Sequence, residues 1–469
     1  MTKSIKKGAI PKMGQTVTEA HVYSQTLGEE ESIWFKILPF INADEPMGVL
    51  MQLSERHGGC IPIKMRSERI FLLSDVEHIR HVLVDRVDKY IKYFDGLKPI
   101  FGKAMITIDG ALWQKIRRPQ QPYFHPHVVY AEYVPHLLVA VRSKLAEWRE
   151  FARRGETVEM LEQGWTMAAD MICRAMFDRE VPFNPHAVFG AVKAYTNTEN
   201  HRALRLKKVG GELAEVTEDE PLGQAISAWL TLPDAIIGAT PWQARERTLL
   251  TMLRAAERDS SMPEWDHQQV QDEIKQYLWA GTETTALTFS WMLYLLSQHP
   301  EIAERIRREG EEVYGEREPT AADLERLTYT RSVILETLRL YPPAWALIRT
   351  ATAEDDIGGR KIMAGDRIVL LPYVVHHNPK YWDEPETFRP ERFAPGHVKK
   401  RVKYSYLPFG AGKRFCLGGQ LSQIELTLAL TLLLRRFRPE YVGKVPPQIA
   451  PSVTLIPKNG LHFRLHEQA

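Results

Sequence analysis

The segment 406–419, Tyr-Leu-Pro-Phe-Gly-Ala-Gly-Lys-Arg-Phe-Cys-Leu-Gly-Gly, leaves this chain few ways to fold. A glycine-rich loop runs into one cysteine, Cys416, and the apolar run Leu417–Phe437 that follows is predicted to be a helix opened by that cysteine. A thiol at a helix N-terminus meets unsatisfied N–H groups and the positive end of the macrodipole, which favours the thiolate. Gly410 and Gly412 allow a tight loop around the sulfur. Gly418 and Gly419 leave the adjoining face bare, so that something flat can lie there. The stretch reads as a reactive thiol or as a socket for a metal cofactor.

The remaining cysteines, Cys60 and Cys173, lie far from Cys416 and from each other. That spacing argues against a disulfide framework or a structural zinc site and suits a reducing cytoplasm. A net charge of +2 carries no signature of nucleic-acid binding. The polar N-terminus lacks a signal core, and the most apolar helical stretches, 286–296 and 426–434, are too short to span a bilayer, so a soluble protein is expected. A length of 469 residues with 44% hydrophobic content allows a large core, and length alone favours two or three domains.

Residues 1–40 are expected to be irregular, and Cys60–Met65 with Arg69–Leu73 forms a predicted hairpin. Ser74-Asp75 caps a helix through Leu83, and Lys89–Ile108 reads as a long functional loop. Gly110–Arg118 is a basic helix with Trp113 and Arg117 on one face. Helical periodicity continues through 134–153, 158–177, 187–195, 222–237 and 243–258, with a mobile crossing expected at Gly210-Gly211 and the acidic run 215–220. The segments 357–362 and 366–371 read as short strands, 382–395 as a proline-rich meander, and 452–456 and 461–465 as terminal strands.

The long helix 267–299 carries Ala280-Gly281-Thr282-Glu283-Thr284-Thr285 at its middle. Glycine there costs about 1 kcal/mol against alanine, and local rule-breaking inside a good helix often marks function. Thr284 can bond back to the Ala280 carbonyl, while Ala280 and Gly281 leave a notch. A helix–helix contact at small residues explains the same pattern. Further on, Glu336 and Arg339 share a helix face, which alone is an ordinary ion pair.

Taken together, these motifs resemble the cytochrome P-450 family of haem-thiolate monooxygenases. The cysteine loop matches Phe-x-x-Gly-x-Arg-x-Cys-x-Gly at Phe409, Gly412, Arg414, Cys416 and Gly418. Ala280–Thr284 matches Ala-Gly-x-(Asp/Glu)-Thr, Glu336 and Arg339 match Glu-x-x-Arg with Arg392 as third member, and Trp113 with Arg117 matches Trp-x-x-x-Arg. The resemblance implies a mainly α fold with a small β region, in one triangular domain spanning 1–469, which replaces the multi-domain expectation. It implies haem b as cofactor, Cys416 as its axial ligand, and Trp113, Arg117, Arg349 and Arg414 on its propionates. Arginine's planar fork suits carboxylates. Phe409 is implied to shield the sulfur, and Glu336, Arg339 and Arg392 to hold the meander that presents the loop. Glu283 and Thr284 are implied to deliver protons during oxygen activation.

By family position the substrate pocket draws on Phe94, Phe101, Met105, Ile106, Trp279, Ala280, Ala344, Trp345, Leu347 and Leu455, together with mobile helices between 192 and 232. Its aromatic and aliphatic character suits a terpenoid, steroid or fatty acid. The sequence carries no flavin, nicotinamide or iron–sulfur fingerprint, so electrons are expected from a ferredoxin or flavodoxin-type donor with its reductase. The basic run 397–403 with Lys115, Arg118 and Lys413 is a candidate docking face, or else an ordinary solvated turn. Peroxide-driven and isomerising relatives commonly lack the acid–alcohol pair that is present here, and no output module of a haem sensor is apparent.

Overall fold

The computed structural model describes residues 45–65, 68–186, 188–190, 192, 221–398 and 400–468. The expectations for 1–40, for Gly210-Gly211, for 215–220, for Lys399, for most of 187–195 and for most of the pocket helices between 192 and 232 fall outside the described residues.

Helices dominate: α1 Pro46–His57, α2 Gly110–Gln120, α3 Val134–Arg154, α4 Met160–Ile172, α5 Pro221–Gly238, α6 Leu249–Arg258, α7 His267–Gln298, α8 Pro300–Tyr314, α9 Thr328–Leu340 and α10 Gly419–Arg436. Helix α7 is the axis of the core. Its C-terminal half is buried on all faces from Thr285 to Leu296, and Phe289, Trp291, Met292 and Leu293 are fully buried. Such a helix must be surrounded by protein. Trp291 stacks face to face on Tyr341 with ring centroids 4.1 Å apart.

Helix α4 lies close against α7 because small residues permit it. A Cβ on Gly164 would come within 3.0 Å of the Ala286 backbone, and one on Gly281 within 2.6 Å of the Ile172 side chain. Gly281 therefore does serve a helix–helix contact, and it also lines the cavity described below.

The β region is small. Strands β1 Cys60–Met65, β2 Glu68–Leu73, β3 Tyr90–Lys92, β5 Leu347–Ala351 and β8 Arg367–Leu370 form a sheet in the order β1-β2-β8-β5-β3. The β2–β8 pair is parallel, and β3 pairs antiparallel with β5 so that Lys92 lies opposite Arg349. A second sheet joins β4 Thr157–Glu159, β12 His462–Glu467 and β9 Phe437–Tyr441. Hairpins β6–β7 (Asp355–Ile357, Arg360–Ile362) and β10–β11 (Ile449–Pro451, Leu455–Pro457) complete it.

Several boundaries differ from the sequence reading. The helix after the cysteine begins at Gly419 rather than Leu417, and its end at Arg436 passes into β9. Residues 89–108 are more ordered than a loop: they hold β3, a 3₁₀ turn Asp95–Leu97 and the short helix Lys98–Phe101. The 243–258 helix starts only at Leu249, where Thr248 and Thr251 form a reciprocal cap. The expected strand 357–362 is a hairpin, because Gly358 and Gly359 take positive φ and reverse the chain. In 158–177, a strand edge comes before the helix.

Candidate active site

The cysteine loop is held from both sides. Its Phe409 carbonyl accepts the Cys416 N–H (3.0 Å), and Gly412 at φ 68° packs so tightly that a Cβ would strike the Leu83 carbonyl at 2.1 Å. No other residue fits at position 412. Upstream, Leu407 N–H donates to His376 Nε2 (2.8 Å), and the other ring nitrogen of His376 lies 3.1 Å from the Arg339 carbonyl. His376 is fully buried, which keeps it neutral with its pKa well below the ordinary value.

Arg339 and Glu336 are both 0% exposed and form a two-point ion pair, with Nε and Nη2 each 2.8 Å from a carboxylate oxygen. Glu336 also accepts from Arg392 Nε (3.3 Å) and from the Arg389 N–H (3.0 Å). Arg339 donates onward to the carbonyls of His376, Pro385 and Thr387. The buried charges thus tie α9 to the meander and, through His376, to the cysteine loop.

Below α7 lies a cavity of ≈ 320 Å³ whose wall includes Cys416, Phe409, Arg414, Trp113, Arg117, Arg349 and Thr284. The Cys416 side chain presents its surface to this cavity and is otherwise enclosed by protein. Burial raises its thiol pKa, opposed by the N–H groups of Gly418 and Gly419 and by the charges of Lys92 and Arg117. Desolvation outweighs these opposing contributions.

Four cations surround one end of the cavity: Lys92, Arg117, Arg349 and Arg414. Arg414 sits 3.9 Å over the Trp113 ring, pairs with Asp109, and donates to the Ile108 carbonyl (3.0 Å). Its Nη1 is buried without a hydrogen-bond partner among the described residues. Arg117 donates to the Phe415 carbonyl (2.9 Å). Arg349 is 5% exposed, and burial beside Arg414 lowers its pKa to about 10. Lys92 makes no ion pair among the described residues, and burial with Arg349 and Arg414 nearby lowers its pKa to about 7. Among the described residues, Asp109 is the one carboxylate set beside these cations. So much positive charge, taken out of water, calls for anions.

Thr284 faces the cavity and donates to the Ala280 carbonyl (2.7 Å), as its sequence position suggested. Glu283 faces elsewhere: it accepts from Trp165 Nε1 (2.6 Å) and Thr454 Oγ1 (3.2 Å) and is absent from the cavity wall. Of the expected pocket residues, Phe94, Met105, Ile106, Ala280, Ala344 and Leu347 line the cavity. Phe101 and Trp279 pack on each other (5.1 Å) behind it, while Trp345 bonds the Ser452 carbonyl and Leu455 is wholly buried. Sequence reasoning missed Lys92, Gln276, Tyr277, Thr285 and Glu425, all of which line the cavity. Glu425 accepts from Thr285 (3.1 Å), and burial raises its pKa to about 8.

The cytochrome P450 family model matches residues 28–463. The chain belongs to the cytochrome P450 family. It is 30% identical over 425 residues to the cyclooctatin synthase of Streptomyces melanosporofaciens, covering 88% of this chain and 90% of that protein. The cyclooctat-9-en-7-ol 5-monooxygenase of the same organism is 28% identical, covering 92% of each chain. Human cytochrome P450 4Z1 is also 28% identical, over 88% of this chain and 85% of its own. A solved cytochrome P450DA heme domain superposes with a TM-score of 0.78 at 20% identity, covering 92% of this chain and 94% of that one.

The fold is thus that of a P450, the activity that of a cytochrome P450 monooxygenase, and the cofactor haem b. The residues present fit that group. A flat macrocycle needs one thiolate donor and anion sites for its propionates. The cavity supplies Cys416, an orphaned Arg414 Nη1, and cations in excess of carboxylates. No helix among the described residues is long and apolar enough to cross a membrane.

Proposed function

We propose that the enzyme inserts one oxygen atom from O2 into a mid-sized apolar molecule, by hydroxylation or epoxidation, with electrons from a separate protein. Cys416 would ligate the haem iron, with Phe409 beside it, and Trp113, Lys92, Arg117, Arg349 and Arg414 would hold the propionates. When bound, the haem supplies redox and oxygen chemistry, favoured by electron donation from the thiolate. The observation that carries the reading is the juxtaposition of Cys416 and Thr284 in the wall of one cavity.

Thr284 keeps its hydroxyl at the cavity by donating to Ala280, which leaves the oxygen's lone pairs free to accept from a water or a bound group. Its work is to hold and pass a proton there. Glu283 occupies a different face, so its part is to fix α7 against α4 through Trp165, and any proton it contributes arrives through water. Phe94, Met105, Ile106, Ala344 and Leu347 exclude water and select apolar shapes. The two Streptomyces relatives, one named for cyclooctat-9-en-7-ol, favour a terpenoid-like hydrocarbon alcohol over a fatty acid.

The electron donor is proposed to be an acidic ferredoxin or flavodoxin-type protein. Lys400, Lys403, Lys413 and Arg118 are exposed. Arg401 is withdrawn from that face: it lies against the rings of Tyr406 (4.7 Å) and Phe393 (5.0 Å). Lys115 is engaged with Glu264. The docking face is therefore narrower than the basic run suggests.

Replacing Thr284 by Ala tests the oxygen chemistry. Electron consumption should continue while product falls and hydrogen peroxide or water accumulates. Unchanged product per electron would rule out the assigned role.

A further inference from the structure

The segment 103–106, which contributes Met105 and Ile106 to the cavity wall, is fastened to α7 by a row of polar side chains. Three of its backbone N–H groups are taken in turn. Lys103 N–H donates to Asp272 (2.6 Å), Met105 N–H to Glu273 (2.7 Å) and Ile106 N–H to Gln276 Oε1 (2.6 Å). Gln269 completes the row by donating to the Lys103 carbonyl (3.1 Å). The approach is close enough that a Cβ on Gly102, at φ 59°, would fall 2.0 Å from the Asp272 carboxylate.

Glu273 is the centre of this row. It is 0% exposed, and besides the Met105 N–H it accepts from Gln269 (3.0 Å), Gln276 (2.8 Å) and Gln120 of α2 (2.9 Å). Gln120 in turn accepts from Tyr277, which lines the cavity. Burial raises the Glu273 carboxyl to about 8, and the hydrogen bonds from Gln120 and Met105 oppose the rise. On the other side, Trp229 of α5 donates to the Ile100 carbonyl (2.8 Å) and sets its ring edge-on to Phe101. Segment 98–107 is thus held both by an apolar contact and by a buried hydrogen-bonded clamp.

We propose that Glu273, with Asp272 and Gln276, is a specificity-determining positioning device: it locks Met105 and Ile106 in the roof of the cavity and so limits the size of the molecule admitted. This rests on the reading of that cavity as the substrate site. None of these side chains need touch the reacting atoms. Their effect passes through the two roof residues, because an unclamped backbone N–H would seek water and draw the segment outward.

The test uses the haem-loaded Glu273→Gln protein. An amide at that position offers one acceptor oxygen and places an NH2 against donors, so the clamp loses about half its bonds. Amide hydrogen exchange of a peptide spanning 102–108 should accelerate at least tenfold, with exchange in α3 unchanged. The ratio of dissociation constants for a bulky azole and for 1-phenylimidazole should fall at least threefold, as the bulky ligand gains room. If this variant does not fold, Asp272→Asn, which weakens the Lys103 anchor and lies outside the cavity wall, is read for the same two outcomes. Unchanged protection at 102–108, or lost protection with an unchanged ratio, overturns the proposal. Absence of any azole-induced Soret shift would instead count against the cavity as the substrate site, and the exchange measurement still decides the clamp.

Discussion

Glu336→Ala perturbs the account at its structural root. The substitution leaves Arg339, 0% exposed, without its two-point partner, and it strips Arg392 and the Arg389 N–H of their acceptor. Removing one partner of a buried pair costs about 3–5 kcal/mol, because the remaining charge is stranded away from water. Unfolding entropy near 2.1 cal/mol/K per residue gives roughly 1 kcal/mol/K for a chain this long. The midpoint should therefore fall by about 3–5 °C in scans run at one fixed rate. Because Arg339 holds the meander and, through His376, the cysteine loop, the Soret signature of thiolate ligation should be lost before tryptophan fluorescence reports global unfolding. Arg305→Ala provides the contrast: its bond to Glu391 joins side chains 58% and 49% exposed, and its loss should shift the midpoint by less than about 1 °C. If Glu336→Ala melted like Arg305→Ala, with both signals lost together, the buried network would not be what presents the loop.

Lys92→Met should leave the fold intact while weakening cofactor retention, since it removes a cation from the anion-poor end of the cavity. Haem transfer to excess apomyoglobin should quicken about tenfold, and an unchanged rate would remove Lys92 from the propionate site. The second expectation concerns acid. Burial depresses the pKa of His376, so the unfolded chain binds its proton first as pH falls. Stability from this group is complete above the unfolded value of about 6.5 and declines by about 1.4 kcal/mol per pH unit below it. His376→Gln, which keeps an acceptor near Leu407 N–H, should lose that part of the acid sensitivity between pH 6.5 and 5. A variant with the wild-type slope of midpoint against pH would refute it.

How far the sequence alone leads depends on whether a role is local. The Thr284 bond to Ala280 spans one helical turn, so it can be read from the chain and is found there. Glu336 and Arg339 are likewise one turn apart on α9. Glu283 shows the limit of adjacency: consecutive residues on a helix are about 100° apart, so an acid next to Thr284 cannot share its face. Lys92 was illegible because the register of β3 on β5, not any spacing in the chain, sets it beside Arg349. The role of the Asp272–Gln276 stretch went unread for a related reason. A run of polar residues on a helix resembles a solvated face, and only the returning segment 103–106 turns it into a buried clamp. Trp345 and Leu455, expected in the pocket by family position, pack instead in a separate core with residues of the sheet.

The most direct test of the whole account is the carbon monoxide difference spectrum of the ferrous protein, taken beside Cys416→His. The wild-type protein should show the red-shifted Soret band of thiolate-ligated haem, and the variant should retain haem but lose that band. A wild-type spectrum without it, or a variant that keeps it, would mean that Cys416 does not hold the iron.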